Sequence, residues 1–296
     1  MDNLRGAAFM VLAMFCFTLL DTTIKILSEA MPVFQALALI STGILILLIG
    51  WSLFKGIALW HPDCLNRRVI LRSLAEVAGT SLICIALALI PLTTASAVIQ
   101  ATPLVVAMGA GLFLGQSIGW RRWIAIIVGF AGVLLIVRPG LDGFDPAVLL
   151  VVTGMLALAS RDLLTRGLNV SLTGVQLGIH AFAFVLPGSL VLMLVQRQPL
   201  VSPEAHDWLI VLFGAFIGVA SYLTIITATR TGNAGVISSF RYSRMIFALV
   251  IGYLVFDEWP DAATLIGAFI IIASGIFTLW REARLRRASL AAAAAL

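Results

Sequence analysis

The chain has 296 residues, of which 61% are hydrophobic and only 11% charged, and its mean hydropathy is +1.10. Soluble globular domains are far less apolar, so this composition excludes a soluble enzyme or a nucleic-acid-binding protein. It is typical of an integral membrane protein. The formal net charge of +5 comes from basic residues whose placement predicts the orientation.

Apolar segments long enough to cross a hydrocarbon core of ~30 Å recur along the whole chain. The sequence predicts ten transmembrane helices, called spans one to ten, over residues 6–27, 34–54, 69–90, 94–115, 120–137, 146–167, 173–195, 206–229, 234–256 and 262–280. We expect the first to be kept as a helix, because Asp21 and Lys25 make its end too polar for a cleaved signal peptide. The predicted fold class is therefore an all-α integral membrane protein.

Basic residues lie mainly at one side of the predicted spans. If the N-terminus is cytoplasmic, only Lys25, Arg138 and Arg197 of the 19 lysines and arginines fall at outer ends. This distribution satisfies the positive-inside rule, so we expect both termini in the cytoplasm and the chain in the cell (inner) membrane. Residues 285–296 then form a cytoplasmic tail.

Motifs of other functional classes are missing from the sequence. Cys16, Cys64 and Cys84 have neither metal-ligand nor disulfide spacing. The chain contains no HExxH or GxSxG motif, no phosphate-binding loop and no segment that resembles a channel filter. These features disfavour an intramembrane enzyme, a primary pump and a channel, and we expect no cofactor and no metal.

Two pairs of segments share one offset and indicate an internal repeat. Asp162 and Arg166 repeat the four-residue spacing of Asp21 and Lys25, and we call the interval from Asp21 to Asp162 the repeat offset. It also places GLFLGQS, at the end of span four, on GYLVFDE, at the end of span nine. We predict two five-helix units, residues 1–140 and 141–284, and an odd number of spans inverts the second. Inverted repeats are a common ground plan of secondary transporters.

The segment from Ile90 to Gly140 carries a series of specific motifs. They are a polar small-residue turn, Thr-Pro early in span four, Phe-Leu-Gly at its end, a Gly-Trp-Arg-Arg loop, and Gly-x-x-Gly-Val-Leu-Leu-Ile followed by Arg-Pro-Gly. In these motifs the chain resembles EamA-type members of the drug/metabolite transporter superfamily. Lys25 and the segment from Phe256 to Pro260 match that family as well.

This resemblance implies ten helices in two EamA repeats, a central cavity, and efflux or exchange of small organic solutes, commonly amino acids or other metabolites. The chain departs from the family pattern at two places. Arg244 stands where the second repeat often has a proline, equivalent to Pro103 in the first, and Phe-Asp-Glu replaces Phe-Gly-Glu at the end of span nine.

Ionisable residues inside the spans mark the candidate solute site. Each costs at least ~2.5 to 3.5 kcal/mol near the bilayer centre unless it is paired or faces a wet cavity. Arg241 and Arg244 are three residues apart, so we expect them on one helical face towards a central cavity. They suit a substrate carboxylate. The alternatives are a structural ion pair, for example with Glu76, and snorkelling of Arg241 to the interface.

Further residues complete the predicted site. Glu76 suits a proton-coupling group or a counter-ion for a substrate ammonium, or else a plain salt bridge. Gln100 matches Arg241 under the repeat offset, and His180 is either a titrating group or a packing residue. Tyr222, Tyr242 and Phe240 are candidates to flank an apolar or aromatic part of the solute.

Conformational roles are predicted for the repeated charge pairs and for one proline. Asp21 with Lys25 and Asp162 with Arg166 are candidates for an outer and an inner gate, unless they are ordinary helix-surface pairs. Pro103 is a candidate hinge in span four.

The leading interpretation is a secondary transporter, an exporter or exchanger of amino acids that works by alternating access. The alternative within this class is a carrier of nucleoside-like or sulfonium metabolites. The expected partners are a small-molecule substrate, the lipid bilayer, and a proton or a counter-transported solute. The sequence leaves the oligomeric state open.

Overall fold

The computed structural model describes residues 2–113, 115, 119–141, 144–166, 172–230 and 234–294, without the side chains of 2–3, 166, 229–230, 234–236, 282–283 and 285–294. The helices are α1 (Asp2–Ala30), α2 (Val33–Phe54), α3 (Arg67–Leu89), α4 (Leu92–Ile99), α5 (Thr102–Phe113), α6 (Trp120–Val137), α7 (Val148–Arg166), α8 (Gly174–Val195), α9 (Ala205–Arg230), α10 (Ala234–Ser239), α11 (Ser243–Phe256) and α12 (Ala262–Ala294). Short 3-10 turns cover Pro62–Leu65 and Phe240–Tyr242.

These helices confirm the predicted fold class. The described residues form ten spans that are long and apolar enough to cross a membrane, and none of these residues lies in a strand. Spans one to three are α1 to α3, span four is α4 with α5, span five is α6, spans six to eight are α7 to α9, span nine is α10 with α11, and span ten is α12. Because short loops make successive spans alternate in direction, both chain ends lie at one face of the bundle, the terminal face; the other is the far face.

The predicted span four is two helices rather than one, and Pro103 explains the break. Proline has no N–H to bond the carbonyl four residues earlier, and its ring clashes with that carbonyl. Here that carbonyl belongs to Ile99, where α4 ends, and the Thr102 hydroxyl donates to it at 2.5 Å. Gln100 and Ala101 form the turn between the two helices.

Span nine is broken at the corresponding place without a proline. The 3-10 turn at Phe240–Tyr242 separates α10 from α11, and the Ser243 hydroxyl donates to the Phe240 carbonyl at 2.8 Å. The repeat offset carries Thr102 onto Ser243 and Ile99 onto Phe240, so it relates the two breaks and their hydroxyl bonds. Discontinuous spans at matching positions of two halves are a feature of transporter sites.

The spans pack in pairs that follow a two-unit numbering. α1 packs along α9 and α3 along α7, while α2 packs against α8 and α6 against α12. In span numbers these pairs are one with eight, three with six, two with seven, and five with ten. If each of spans one to five is exchanged with the span five positions later, the same four pairs result. The packing pairs thus have the symmetry that two repeated units would give, while the division into units 1–140 and 141–284 and their inversion stay predictions.

Two glutamines related by the repeat offset tie each unit to a loop of the other. The Gln35 amide donates to the Val201 carbonyl at 2.5 Å and accepts from its N–H at 3.0 Å. The Gln176 amide donates to the Ala58 carbonyl at 2.7 Å. Loop carbonyls inside a membrane protein need such partners, so these bonds fix α2 and α8 at opposite faces.

Glycines let two of the packed pairs approach to backbone contact. A Cβ on Gly79 would lie 3.0 Å from the Gly154 carbonyl oxygen between α3 and α7, and a Cβ on Gly132 would lie 2.8 Å from the Gly267 carbonyl oxygen between α6 and α12. Small residues at such contacts give the close packing that holds helices together in lipid. Larger side chains there would separate the paired spans.

Candidate solute site between the broken spans

A central cavity of about 190 Å³ lies among eight of the ten spans. It is lined by residues of spans one to four and six to nine, which include Arg161 and these residues predicted from the sequence: Asp21, Glu76, Gln100, Pro103, Asp162, Tyr222, Arg241 and Arg244. The break in each discontinuous span brings polar groups to this cavity, because a helix end exposes backbone groups that need partners.

Gln100 joins the two breaks directly. Its side-chain amide donates to the Tyr242 carbonyl at 3.0 Å, and the contact is buried. This carbonyl belongs to the 3-10 turn of span nine, where regular helical bonding is interrupted. Gln100 therefore both lines the cavity and holds span four against span nine at their equivalent turns.

Arg244 forms an ion pair with Asp21 across the cavity. Its Nη2 donates to the Asp21 carboxylate, and its guanidinium lies 6.0 Å from the centre of the Phe17 ring. The Arg244 Nε is buried and has no hydrogen-bond partner among the described residues. Arg244 thus presents an unsatisfied donor beside a carboxylate, which is the arrangement that a second carboxylate can complete.

Glu76 pairs with arginines other than those of span nine. Its Oε1 lies 2.6 Å from Arg161 Nη1, and its Oε2 lies 3.3 Å from Arg72 Nη2. In the part of the chain that the structure describes, Glu76 pairs with these two arginines rather than with Arg241 or Arg244, the pairing suggested from the sequence. Arg72 was not predicted as part of the site, although its spacing of four residues from Glu76 on a helix was a visible signal.

A second carboxylate continues this network to span nine. Arg161 Nη2 lies 2.7 Å from Asp162 Oδ1, and Arg241 Nη1 lies 3.9 Å from Asp162 Oδ2. Asp21 and Asp162, which define the repeat offset, therefore each contact one arginine of span nine. The side chain of Arg166, the predicted partner of Asp162, lies outside the described residues.

The charges of this cluster do not balance. Among the described side chains, the guanidinium groups of Arg72, Arg161, Arg241 and Arg244 surround three carboxylates, those of Asp21, Glu76 and Asp162. Buried charges are costly unless they are paired, so one excess positive charge favours the entry of an anionic group.

The three aromatic candidates have different surroundings. Tyr222 lines the cavity and accepts a hydrogen bond from Arg72 Nη2 at 3.2 Å. Tyr242 instead packs so tightly on α12 that a Cβ at Gly275 would overlap its hydroxyl. Phe240 is 40% exposed and lines an outer groove with Phe247. Neither Tyr242 nor Phe240 is placed to flank a solute in the central cavity.

His180 lies beside the cavity rather than on its surface. Its Nδ1 is 2.8 Å from the Ser73 hydroxyl, and its ring stacks on Phe184 with centroids 4.9 Å apart. These contacts are those of a packing residue, the second of the two roles that the sequence left open.

Lys25 closes the far face with a partner that the sequence did not predict. Its ammonium donates to the carbonyls of Ile90 at 2.7 Å and Leu87 at 3.2 Å, and it lies 3.4 Å from Glu258 Oε1. The Glu258 carboxylate accepts from the N–H groups of Leu92 at 2.9 Å and Thr93 at 3.2 Å. A carboxylate at a helix N-terminus and a cation at a helix C-terminus are both favourable. We call this arrangement the far-face latch.

The far-face latch joins spans one, three, four and nine, so breaking it should open the cavity at that face. We expect Lys25→Met and Glu258→Gln to speed the labelling of Cys84, which lines the cavity, by a membrane-impermeant maleimide. The measurement uses a background with Cys16 and Cys64 replaced by serine and reagent added at the far face only. Lys55→Met, at the exposed terminal-face end of α2, is the control. Unchanged labelling in both latch variants would rule out the gate.

The comparison with protein families follows the same division of the chain. A sequence model of the EamA-like transporter family matches residues 4–138 and, separately, residues 145–280. The chain belongs to the EamA-like transporter family. The starts of the two matches, at positions 4 and 145, are separated by the repeat offset that also relates Gln35 to Gln176.

Relatives of this EamA-like transporter carry different solutes. It is 26% identical to an S-adenosylmethionine uptake transporter of Rickettsia conorii, over 72% of this chain and 71% of the relative. It is 28% identical to a riboflavin transporter of Rhizobium johnstonii, over 95% and 93% of the two chains. It is 27% identical to a pseudopaline exporter of Pseudomonas aeruginosa, over 92% and 94%. The chain is therefore a transporter of the drug/metabolite type, and these names point away from an enzyme.

One solved structure shares the fold of this EamA-like transporter. The superposition has a TM-score of 0.64 and covers 96% of this chain and 98% of the other, at 19% sequence identity. Together with the ten apolar spans, the family places the chain among multi-pass membrane proteins.

Proposed function

We propose that the protein is a secondary transporter that exports or exchanges amino acids by alternating access around the central cavity. The observation that carries this proposal is the set of three guanidinium groups and three carboxylates that line one cavity in an apolar bundle, with a fourth guanidinium, that of Arg72, paired to Glu76. A zwitterion matches such a cluster, because its carboxylate and its ammonium find partners of opposite charge at the same site.

Arg244 is the residue we assign to the solute carboxylate. Its Nε is buried without a partner among the described residues, and a guanidinium binds a carboxylate through two parallel hydrogen bonds. Asp21 already holds Arg244 in place and is the nearest candidate for the solute ammonium. Arg241 and Asp162 offer the equivalent charges of the second unit.

Alternating access would use the two breaks and the far-face latch. In the inverted-repeat arrangement, with units 1–140 and 141–284, the span-four and span-nine turns meet at the axis through Gln100. Rocking of one unit against the other then exchanges access between the faces. Lys25 with Glu258 is the outer gate of this scheme. Pro103 is its hinge in span four, and both chain ends lie in the cytoplasm of a cell whose inner membrane holds the protein.

A sulfonium metabolite is the second candidate substrate. The name of the Rickettsia relative favours it, and S-adenosylmethionine itself carries an amino-acid group that would suit the same charges. A nucleoside part needs more space than the present cavity of about 190 Å³, since sites for ligands of that size measure roughly 300–1,000 Å³. The cavity would have to widen to hold it.

Counterflow in proteoliposomes tests the proposal. Vesicles loaded with unlabelled amino acids should take up a labelled amino acid faster than empty vesicles, and the uptake should saturate. Vesicles loaded with S-adenosylmethionine or riboflavin form the second arm. Acceleration by S-adenosylmethionine alone would replace the first candidate with the second, and acceleration by none of these solutes would reject both.

A further inference from the structure

One wall of the central cavity carries no charged group. α2 contributes Leu37, Ile40, Ser41 and Ile44, and α8 contributes Phe182 and Val185. Because α2 and α8 pack against each other, these six side chains form one continuous surface, the α2/α8 wall. The charged lining residues come instead from spans one, three, six and nine. The α2/α8 wall therefore offers apolar surface with no charged lining residue on the same two helices.

We propose that the α2/α8 wall selects the solute side chain, that Ile40 and Ile44 set its size, and that the substrates are neutral amino acids with an aliphatic side chain such as leucine. This inference rests on the proposed amino-acid transport and narrows it. The zwitterionic end of the solute faces the arginines and carboxylates, and its side chain faces α2.

Burial on the α2/α8 wall disfavours polar side chains. Ser41 is the one polar residue among the six, and a charged or amide side chain placed there would lose its hydration and find at most this one hydroxyl as a partner. An aliphatic side chain loses nothing by the same transfer and gains from leaving water. The wall thus favours binding of leucine over serine or glutamate, because the polar solutes lose hydration there.

The volume of the cavity limits the side chain from above. The cavity, at about 190 Å³, is smaller than the roughly 300–1,000 Å³ of sites for drug-sized ligands. The compact cavity therefore favours aliphatic over large aromatic side chains.

Ile40 and Ile44 are held rigidly, so the size limit is well defined. Both are 1% exposed, and both are β-branched, which restricts their rotamers. A Cβ on Gly218 would lie 2.4 Å from the Ile44 Cδ1, and one on Gly214 would lie 3.3 Å from the Ile40 Cδ1. The glycine surface of α9 therefore packs against the ends of these two side chains and holds them in place at the edge of the cavity.

Competition against labelled leucine counterflow tests the inference. In the wild type, unlabelled leucine should compete at least about ten-fold better than serine or glutamate, because the loss of hydrophobic contact in such a pocket is worth roughly ten-fold or more. Ile44→Ala should shift the ratio between phenylalanine and leucine by about ten-fold towards phenylalanine. Ile44→Val and Ile40→Val remove one methylene each and should give smaller shifts in the same direction if the alanine variant fails to fold.

The matched control is Ile46→Ala, which removes the same atoms from a position on α2 that is 63% exposed. It should leave the competition ratios unchanged. Equal competition by serine, glutamate and leucine in the wild type would overturn the inference while leaving amino-acid transport in place. Ratios that stay at wild-type values in all three wall variants would overturn it as well. Failure of the proposed function itself would show earlier, as an absence of amino-acid counterflow in the wild type.

Discussion

Replacing Arg244 by alanine is expected to reduce amino-acid counterflow by roughly 100-fold, the loss that follows from removing about 3 kcal/mol of charge-assisted hydrogen bonding. Two effects contribute. The solute carboxylate loses its bidentate partner, and Asp21 is left as a buried carboxylate without the arginine that now holds it. Breaking a buried pair in this way costs about 3–5 kcal/mol of stability, so folding has to be measured beside transport.

A neutral double variant separates these two effects. Asp21→Asn with Arg244→Gln removes both charges and should recover much of the thermal stability, because no unpaired charge remains. We expect it to stay inactive in counterflow. Arg121→Gln, at an exposed position of α6, is the control and should exchange like the wild type. If the neutral double variant transported at the wild-type rate, the pair would be a structural tie between spans one and nine and not part of the solute site.

Replacing Glu76 by glutamine is expected to destabilise the protein strongly. Glu76 lies between Arg161 and Arg72, and without its charge two guanidinium groups face each other in an apolar bundle. A loss of about 3 kcal/mol for an unpaired buried charge corresponds to a lowering of Tm by roughly 6–12 °C. Thermal unfolding in detergent, followed by the fluorescence of a thiol probe that reacts with exposed cysteines, measures this shift.

The second half of the Glu76 test restores the charge balance. Glu76→Gln combined with Arg72→Gln removes one cation as well, so its Tm should lie closer to that of the wild type. Glu29→Gln, an exposed carboxylate at the end of α1, should not change Tm. A Tm of Glu76→Gln equal to that of Glu29→Gln would mean that water or rearranged side chains already screen this cluster, and the excess positive charge would then carry no weight for solute binding.

The sequence predicted the ten spans, which the structure confirms, and it singled out the candidate charges, because both depend on local chemistry. A run of apolar residues is a membrane helix whatever its neighbours are, since its backbone must bond within itself. An ionisable residue inside such a run is costly wherever it lies, so Arg241, Arg244, Glu76 and Asp162 stood out without any knowledge of the fold. The repeat offset could also be identified from the sequence, because a repeat preserves the spacing between equivalent residues.

The partners of those charges were not readable from the sequence. The arginines of span nine contact Asp21 and Asp162, Glu76 contacts Arg161 and Arg72, and Lys25 contacts Glu258. Each of these choices except the four-residue spacing of Arg72 and Glu76 joins segments far apart in the chain. Whether such groups meet depends on how helices rotate and slide against one another. Close glycine contacts such as Gly79 with Gly154 set that rotation, and the rotation cannot be predicted from single residues in the sequence.

The break in span nine shows the same limit on a smaller scale. Pro103 indicates a break in span four, because proline removes a backbone donor. No residue type in span nine indicates the turn at Phe240–Tyr242. That turn is stabilised by contacts made in the folded protein, namely the Gln100 amide on the Tyr242 carbonyl and the close packing of the Tyr242 ring on Gly275.

The sequence by itself therefore determined that this is a ten-span transporter with buried charges, because hydropathy, spacing and family motifs are properties of short segments. Only the tertiary structure decided which charges pair, where the cavity lies and that one of its walls is apolar. The physical reason is that a side chain's environment in a helix bundle is set by the helices packed around it, and the most extensive of these contacts join helices from opposite halves of the chain.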